Sequence, residues 1–193
     1  MVTAMDRAMR RGRIELICGC MFSGKSERLI QRVEQAGAAG VSVVAFKHAC
    51  DDRYGGDQIV AHSGLRVAAY RAASPVEILR GVGEARLVVI DEAQFFTADL
   101  VDACRQLAAE GRDVVVGGLD RDSWGLPFGP MPELEAIADE VTRTRGVCAR
   151  CGRPAEYTFR RVPVAGKTMV GGGEAYEPRC RDCFAAPPIE LRR

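Results

Sequence analysis

Gly19-Cys20-Met21-Phe22-Ser23-Gly24-Lys25-Ser26 is the stretch that decides the fold. It fits the pattern G-x-x-x-x-G-K-[ST]. Before it stands the apolar run Ile14–Cys18 (IELIC), which reads as a buried strand. After it comes Ser26–Gly37 (SERLIQRVEQAG), with Leu29, Ile30 and Val33 on one face, which reads as an amphipathic helix. A glycine-rich turn between a strand and a helix curls so that backbone N–H groups point inward, and the helix N-terminus adds partial positive charge. The loop therefore predicts a cradle for the phosphates of ATP or a close relative. Lys25 is expected to reach the β- and γ-phosphates and Ser26 to ligate Mg²⁺.

Outward from the loop, apolar runs alternate with helical patterns. Strands are predicted over Val41–Phe46, Arg66–Tyr70, Leu87–Ile90, Asp113–Val116 and Glu140–Arg145. Helices are predicted over Pro75–Gly83, Asp99–Glu110 and Met131–Ala138, and a polar loop over Asp51–Gly64. Uninterrupted apolar strands separated by helices imply an α/β fold, a parallel sheet covered by helices on both faces. The run Leu87–Ile90 leads into Asp91-Glu92. At the end of a neighbouring strand, Asp91 is placed to hold Mg²⁺ and Glu92 to accept a proton from an attacking hydroxyl or water. Either could instead cap the following segment.

From about Gly146 the composition changes to Gly, Pro, Cys and Arg. Cys148-x-x-Cys151 and Cys180-x-x-Cys183 are separated by 28 residues, and two such pairs match a closed tetrahedral site for structural zinc. Local disulfides or free thiols are the alternatives, disfavoured in a chain with no secretory signal. These features divide the chain into an N-terminal extension (1–12), a P-loop α/β domain (13–145) and a small zinc-ribbon-like domain (146–193). A kinase must cover its site against water, and the C-terminal region is the part free to do so. Gly171–Gly173 would permit close approach to a ligand there, or form a flexible hairpin tip.

The chain has 193 residues, 47% hydrophobic and 27% charged, enough for a substantial core. Its 27 basic and 26 acidic residues speak against wrapping a nucleic-acid backbone. No run reaches the ~18–20 apolar residues of a membrane span. The expected setting is the cytoplasm, with no membrane or nucleic-acid partner, and the arginine-rich start is expected to be a frayed extension.

Six ordered motifs carry a resemblance: GCMFSGKS, DDRY at 51–54, DEAQFF at 91–96, GLD followed by PFGPMPELEAIADEV, CARCGRPAEYTFR, and VGGGEAYEPRCRDC. Together they resemble the thymidine kinases of bacteria and animal cytosol, from about Gly12 to Phe184. The resemblance implies a RecA-like core and a zinc domain carrying a lasso loop. It implies transfer of the γ-phosphate of ATP to the 5′-hydroxyl of thymidine or deoxyuridine in nucleotide salvage, tetrameric assembly, and inhibition by thymidine triphosphate (dTTP). By position it makes Glu92 the general base. Gly19, Met21, Phe22, Ser23, Gly24, Lys25, Ser26 and Asp91 fall to the nucleotide and its Mg²⁺, with Asp51 and Arg53 at the same site. Met21, Phe95, Leu119, Phe128, Thr158 and Tyr176 match the nucleoside pocket, and Met169, Val170 and Gly171 the main chain that reads the base. The apolar members of that set also fit a plain core. One departure stands out. After GLD the family reads Asp-Phe-Arg-Gly, whereas this chain has Asp122-Ser123-Trp124-Gly125. Trp124 either replaces the missing aromatic wall or leaves the pocket altered. A RecA-like ATPase acting on DNA and a relative that binds without turnover are the competing readings.

Overall fold

The computed structural model describes residues 11–52, 57–163 and 171–191. Six strands make one sheet: β1 (Ile14–Gly19), β2 (Val43–His48), β5 (Tyr70–Ala72), β6 (Leu87–Asp91), β7 (Asp113–Gly118) and β8 (Glu140–Thr144). Their order is β5-β2-β6-β7-β1-β8, and every pairing is parallel. The connections carry α1 (Lys25–Ala38), α2 (Pro75–Gly81), α3 (Asp99–Ala109) and α4 (Met131–Ile137). This is the α/β architecture that the alternating pattern implied.

Apolar runs without polar alternation arise because both faces of the sheet are covered. Val88, Ile90, Val114 and Val116 point to one face, where they pack with Ile78 of α2 and Leu100, Cys104 and Leu107 of α3. Leu87, Val89 and Val115 point to the other and meet Leu29 and Ile30 of α1. Each such side chain, taken out of water, contributes ~1.5–3 kcal/mol. Helix α2 starts as its sequence directs: Ser74 Oγ accepts from Glu77 N–H at 3.4 Å, and Glu77 Oε2 accepts from Ala73 N–H at 2.8 Å. These two bonds form a reciprocal cap.

Two expectations are corrected. The segment 51–64 is not simply a loop: Gln58–Val60 forms β3, antiparallel to β4 (Arg66–Ala68). Ile59 and Ala61 lie buried in the α1-side core, so tertiary packing stabilises a strand too short to show periodicity. The predicted strand 66–70 divides at Ala69: its first part pairs in this hairpin, and the chain then joins the sheet edge as β5.

Beyond β8, short antiparallel pairs take over: β9 (Gly146–Val147) with β10 (Pro154–Ala155), and β11 (Tyr157–Arg160) with β12 (Tyr176–Arg179). No helix among the described residues is long and apolar enough to cross a membrane. Because the sheet is parallel, the carboxyl ends of β1, β2, β6, β7 and β8 converge on one edge, the place where open α/β sheets carry ligands.

Candidate active site

The phosphate loop is shaped by positions only glycine tolerates. Gly19 has φ 146°, and a Cβ there would lie 2.3 Å from the Thr144 carbonyl oxygen of β8. Gly24, at φ 85°, starts α1. Ser23 Oγ donates to the Cys20 carbonyl at 2.7 Å and sits 2.6 Å from Thr144 Oγ1. Lys25 Nζ donates to the same Cys20 carbonyl at 2.6 Å. Burial lowers the pKa of this ammonium, a pull opposed by Cys20, Glu92 and Asp91.

Across the loop, Ser26 Oγ donates to Asp91 Oδ2 at 3.4 Å. Glu92 has φ 56°, a left-handed conformation that costs a non-glycine residue ~1–3 kcal/mol. The turn is held by its own N–H, which donates to Asp91 Oδ1 at 2.8 Å. Gln94 Nε2 donates to Glu92 Oε2 at 2.5 Å, while Gln94 Oε1 accepts from Leu119 N–H at 2.9 Å. The buried Gln94 thus fixes the Glu92 carboxylate relative to the segment after β7. Nothing local in the sequence signals this bridge beyond an amide following the acidic pair.

Burial, and next the adjacent Glu92, push the Asp91 carboxyl up from an ordinary 3.8 to about 7. The folded chain then binds a proton at Asp91 more tightly than the unfolded chain, so stability falls as pH rises from 3.8 through about 7 and the full cost is present above that. Asp91→Asn removes the charge and keeps an acceptor for Glu92 N–H. In the absence of nucleotide and divalent cation, its thermal midpoint at pH 8 should exceed that of the native protein by ~5 °C or more. The gap should close as the pH is lowered towards 4. An equal or lower midpoint at pH 8 would show that the buried charge carries no such cost.

One cavity of about 430 Å³ opens between these elements. Of the described residues expected at the site, Met21, Phe22, Ser23, Gly24, Lys25, Ser26, Asp51, Asp91 and Glu92 line it, as do Phe95, Leu119, Phe128, Thr158, Gly171 and Tyr176. Gly19 does not line it and acts beneath, through the fit against β8. Arg53, Met169 and Val170 lie outside the described residues. The Phe95 and Phe128 rings meet edge to face at 5.7 Å and form an aromatic wall. Ser123 faces the cavity, whereas Trp124 is buried behind it, so Trp124 does not supply a replacement wall.

Lys47, which sequence reading missed, also lines the cavity. It is the penultimate residue of β2, in register with Asp91, and its ammonium meets Asp51 at 3.2 Å with both side chains almost wholly buried. A lysine directly after the apolar run Val41–Phe46 and four residues before an aspartate was the only available signal. The β3–β4 hairpin adds His62 and Ser63.

The four paired cysteines come together as their spacing implied. Their sulfurs all lie within 4.8 Å of one another, and none is in a disulfide. A tetrahedron with Zn–S of ~2.3 Å has edges of ~3.8 Å, so this thiolate set fits zinc. Gly152, at φ 73°, makes the first knuckle, with its N–H donating to the Cys148 carbonyl at 2.9 Å. The cluster also touches the phosphate loop: Cys20 packs against Cys148, Cys180 and Ala155. Cys20 Sγ donates to the Ala155 carbonyl at 3.4 Å, and Met21 N–H donates to Thr158 Oγ1 at 3.0 Å.

Comparison with known proteins agrees with this geometry. Residues 12–184 match the family described as thymidine kinase. A thymidine kinase of Bacteroides thetaiotaomicron is 47% identical over 180 residues, covering 93% of this chain and 90% of that protein. Thymidine kinases of two Bacteroides fragilis strains are 46% identical over the same share of each chain.

Proposed function

We infer the activity from an established premise: the chain belongs to the thymidine kinase family. It is an ATP-dependent kinase that phosphorylates thymidine. The observation that carries the detailed reading is the continuity of the cavity of about 430 Å³. It joins a phosphate loop and an acidic pair to an aromatic wall, which are the donor and acceptor halves of a two-substrate site.

Gly19, Phe22, Ser23 and Gly24 shape the loop around the β- and γ-phosphates, and Lys25 neutralises them. Ser26 and Asp91 would hold Mg²⁺, which when bound supplies neutralisation of phosphate charge. Asp51 and Arg53 belong to the same donor site. Glu92 takes the proton of the nucleoside 5′-hydroxyl as that oxygen attacks the γ-phosphorus. The bond from γ-phosphorus to the bridging oxygen breaks, giving dTMP and ADP. Gln94 keeps the accepting carboxylate aimed at the cavity.

Met21, Phe95, Leu119, Phe128, Thr158 and Tyr176 enclose the nucleoside, and the main chain of Met169, Val170 and Gly171 reads the pyrimidine. A purine is too large for such a pocket. A cytosine presents the reversed donor–acceptor order and leaves buried groups unpaired. Deoxyuridine offers the same edge as thymidine and is a second substrate. Cys148, Cys151, Cys180 and Cys183 would hold a structural zinc, which when bound ties together the two ends of the 146–193 domain on either side of its lid loop. Feedback inhibition by dTTP, tetrameric assembly and a cytoplasmic setting complete the reading, supported by the family resemblance.

The test is a phosphorylation screen of the common deoxynucleosides with ATP and Mg²⁺. Thymidine and deoxyuridine should yield monophosphates. ATP consumption driven by single-stranded DNA, with no nucleoside product, would overturn the reading.

A further inference from the structure

Between β7 and α4 the chain forms a tight hairpin with two faces. The Asp122 carboxylate is its hub: Oδ1 accepts from Trp124 N–H at 2.9 Å and from Leu126 N–H at 3.0 Å. Arg121 bridges to Pro127, and Gly125 turns the chain at φ 77°. The front of the hairpin, at Asp122 and Ser123, lines the cavity. The back carries the side chain of Trp124, which is 4% exposed.

That back face rests on chain from beyond the second cysteine pair. The Trp124 indole N–H donates to the Pro188 carbonyl at 3.2 Å. Phe184 stacks on Tyr157 at 4.5 Å and 15°, and the Arg121 guanidinium lies 4.9 Å from the centre of the Tyr157 ring. A Cβ at Gly125 would stand 3.1 Å from Phe184 and 3.4 Å from Tyr157, so the two surfaces are in close contact. Asp122 and Ser123 are themselves buried, so the hairpin is enclosed between the cavity in front and this segment behind. Here an aromatic stack and an indole hydrogen bond fix it from behind.

We propose that Trp124 is a positioning residue for the acceptor nucleoside: it clamps the hairpin 121–127 to the segment 184–188 and so sets the cavity wall at Asp122 and Ser123. The inference rests on the reading of this cavity as the acceptor site. It makes the C-terminal segment a determinant of nucleoside affinity although that segment does not line the cavity among the described residues. It also places the only tryptophan of the chain directly behind the wall that the nucleoside touches.

Three measurements on the full-length protein test it. In the native enzyme, thymidine should shift the tryptophan emission with a midpoint equal to its calorimetric Kd, and a non-hydrolysable ATP analogue alone should not. Trp124→Phe keeps an aromatic ring and loses one hydrogen bond, so the thymidine KM should rise ~2- to 10-fold. The KM for ATP and kcat should stay within about twofold. Phe184→Ala should raise the same KM, and the double variant should raise it by less than the product of the two, since both act through one clamp. A lower thermal midpoint with unchanged thymidine KM in both variants would make the contact merely structural and overturn the proposal. So would a silent tryptophan while calorimetry shows thymidine binding. Absence of calorimetric binding by any deoxynucleoside would instead overturn the acceptor reading, and this inference with it.

Discussion

Glu92→Gln should lower kcat for thymidine phosphorylation by ~10²- to 10⁴-fold, the usual contribution of a positioned general base. The substitution is close to isosteric, and the amide can still accept a hydrogen bond from Gln94. What it removes is a site for the proton. The hydroxyl must then attack the γ-phosphorus without help, while the groups facing the phosphates, Lys25 and Ser26 among them, are untouched. ATP affinity should therefore stay within a few-fold, and the defect should appear in kcat and in kcat/KM alike. Turnover near the native rate in this variant would remove Glu92 from the role of base.

The second large effect concerns the cysteine cluster. Cys180→Ser should release zinc, measured as metal content, and sharply lower the thermal midpoint. Apparent binding energies of structural zinc in small domains are ~10–16 kcal/mol, of the same order as the whole stability of a domain. The variant should also lose nucleoside binding, because Thr158 and Tyr176 stand on β11 and β12 beside the cluster. A less obvious consequence follows from Cys20 and Met21. Their bonds to Ala155 and Thr158 brace the phosphate loop against the zinc-bearing segment. Loss of that brace should weaken ATP binding by ~10-fold or more, the equivalent of one or two hydrogen bonds. Unchanged ATP affinity in the metal-free variant would show that the loop holds its shape without it.

The parts of the site legible in the sequence are those whose signal lies within a few residues. The phosphate loop shows itself by glycine spacing between a strand and a helix, and the acidic pair by its place at the end of an apolar run. The cysteine pairs show themselves by the two-residue gap that a knuckle requires. The sheet was legible because both-face burial leaves no polar alternation in β6 or β7. The β3–β4 hairpin was not, because three-residue strands carry no period and depend on packing against α1.

By itself, then, the sequence determined an α/β phosphate-binding fold, an acidic pair poised on it and a thiolate metal site. These are set by local backbone geometry and by spacing along the chain. Only the tertiary structure decided how they combine. It put Thr158 against Met21, 137 positions away, and Gln94 between Glu92 and Leu119. It buried Lys47 with Asp51 and turned Ser123 rather than Trp124 towards the cavity. It also raised the Asp91 carboxyl to about 7 by burial beside Glu92. Each of these depends on distances through space between remote segments, and on the loss of water around charged groups, neither of which is written in the neighbouring residues.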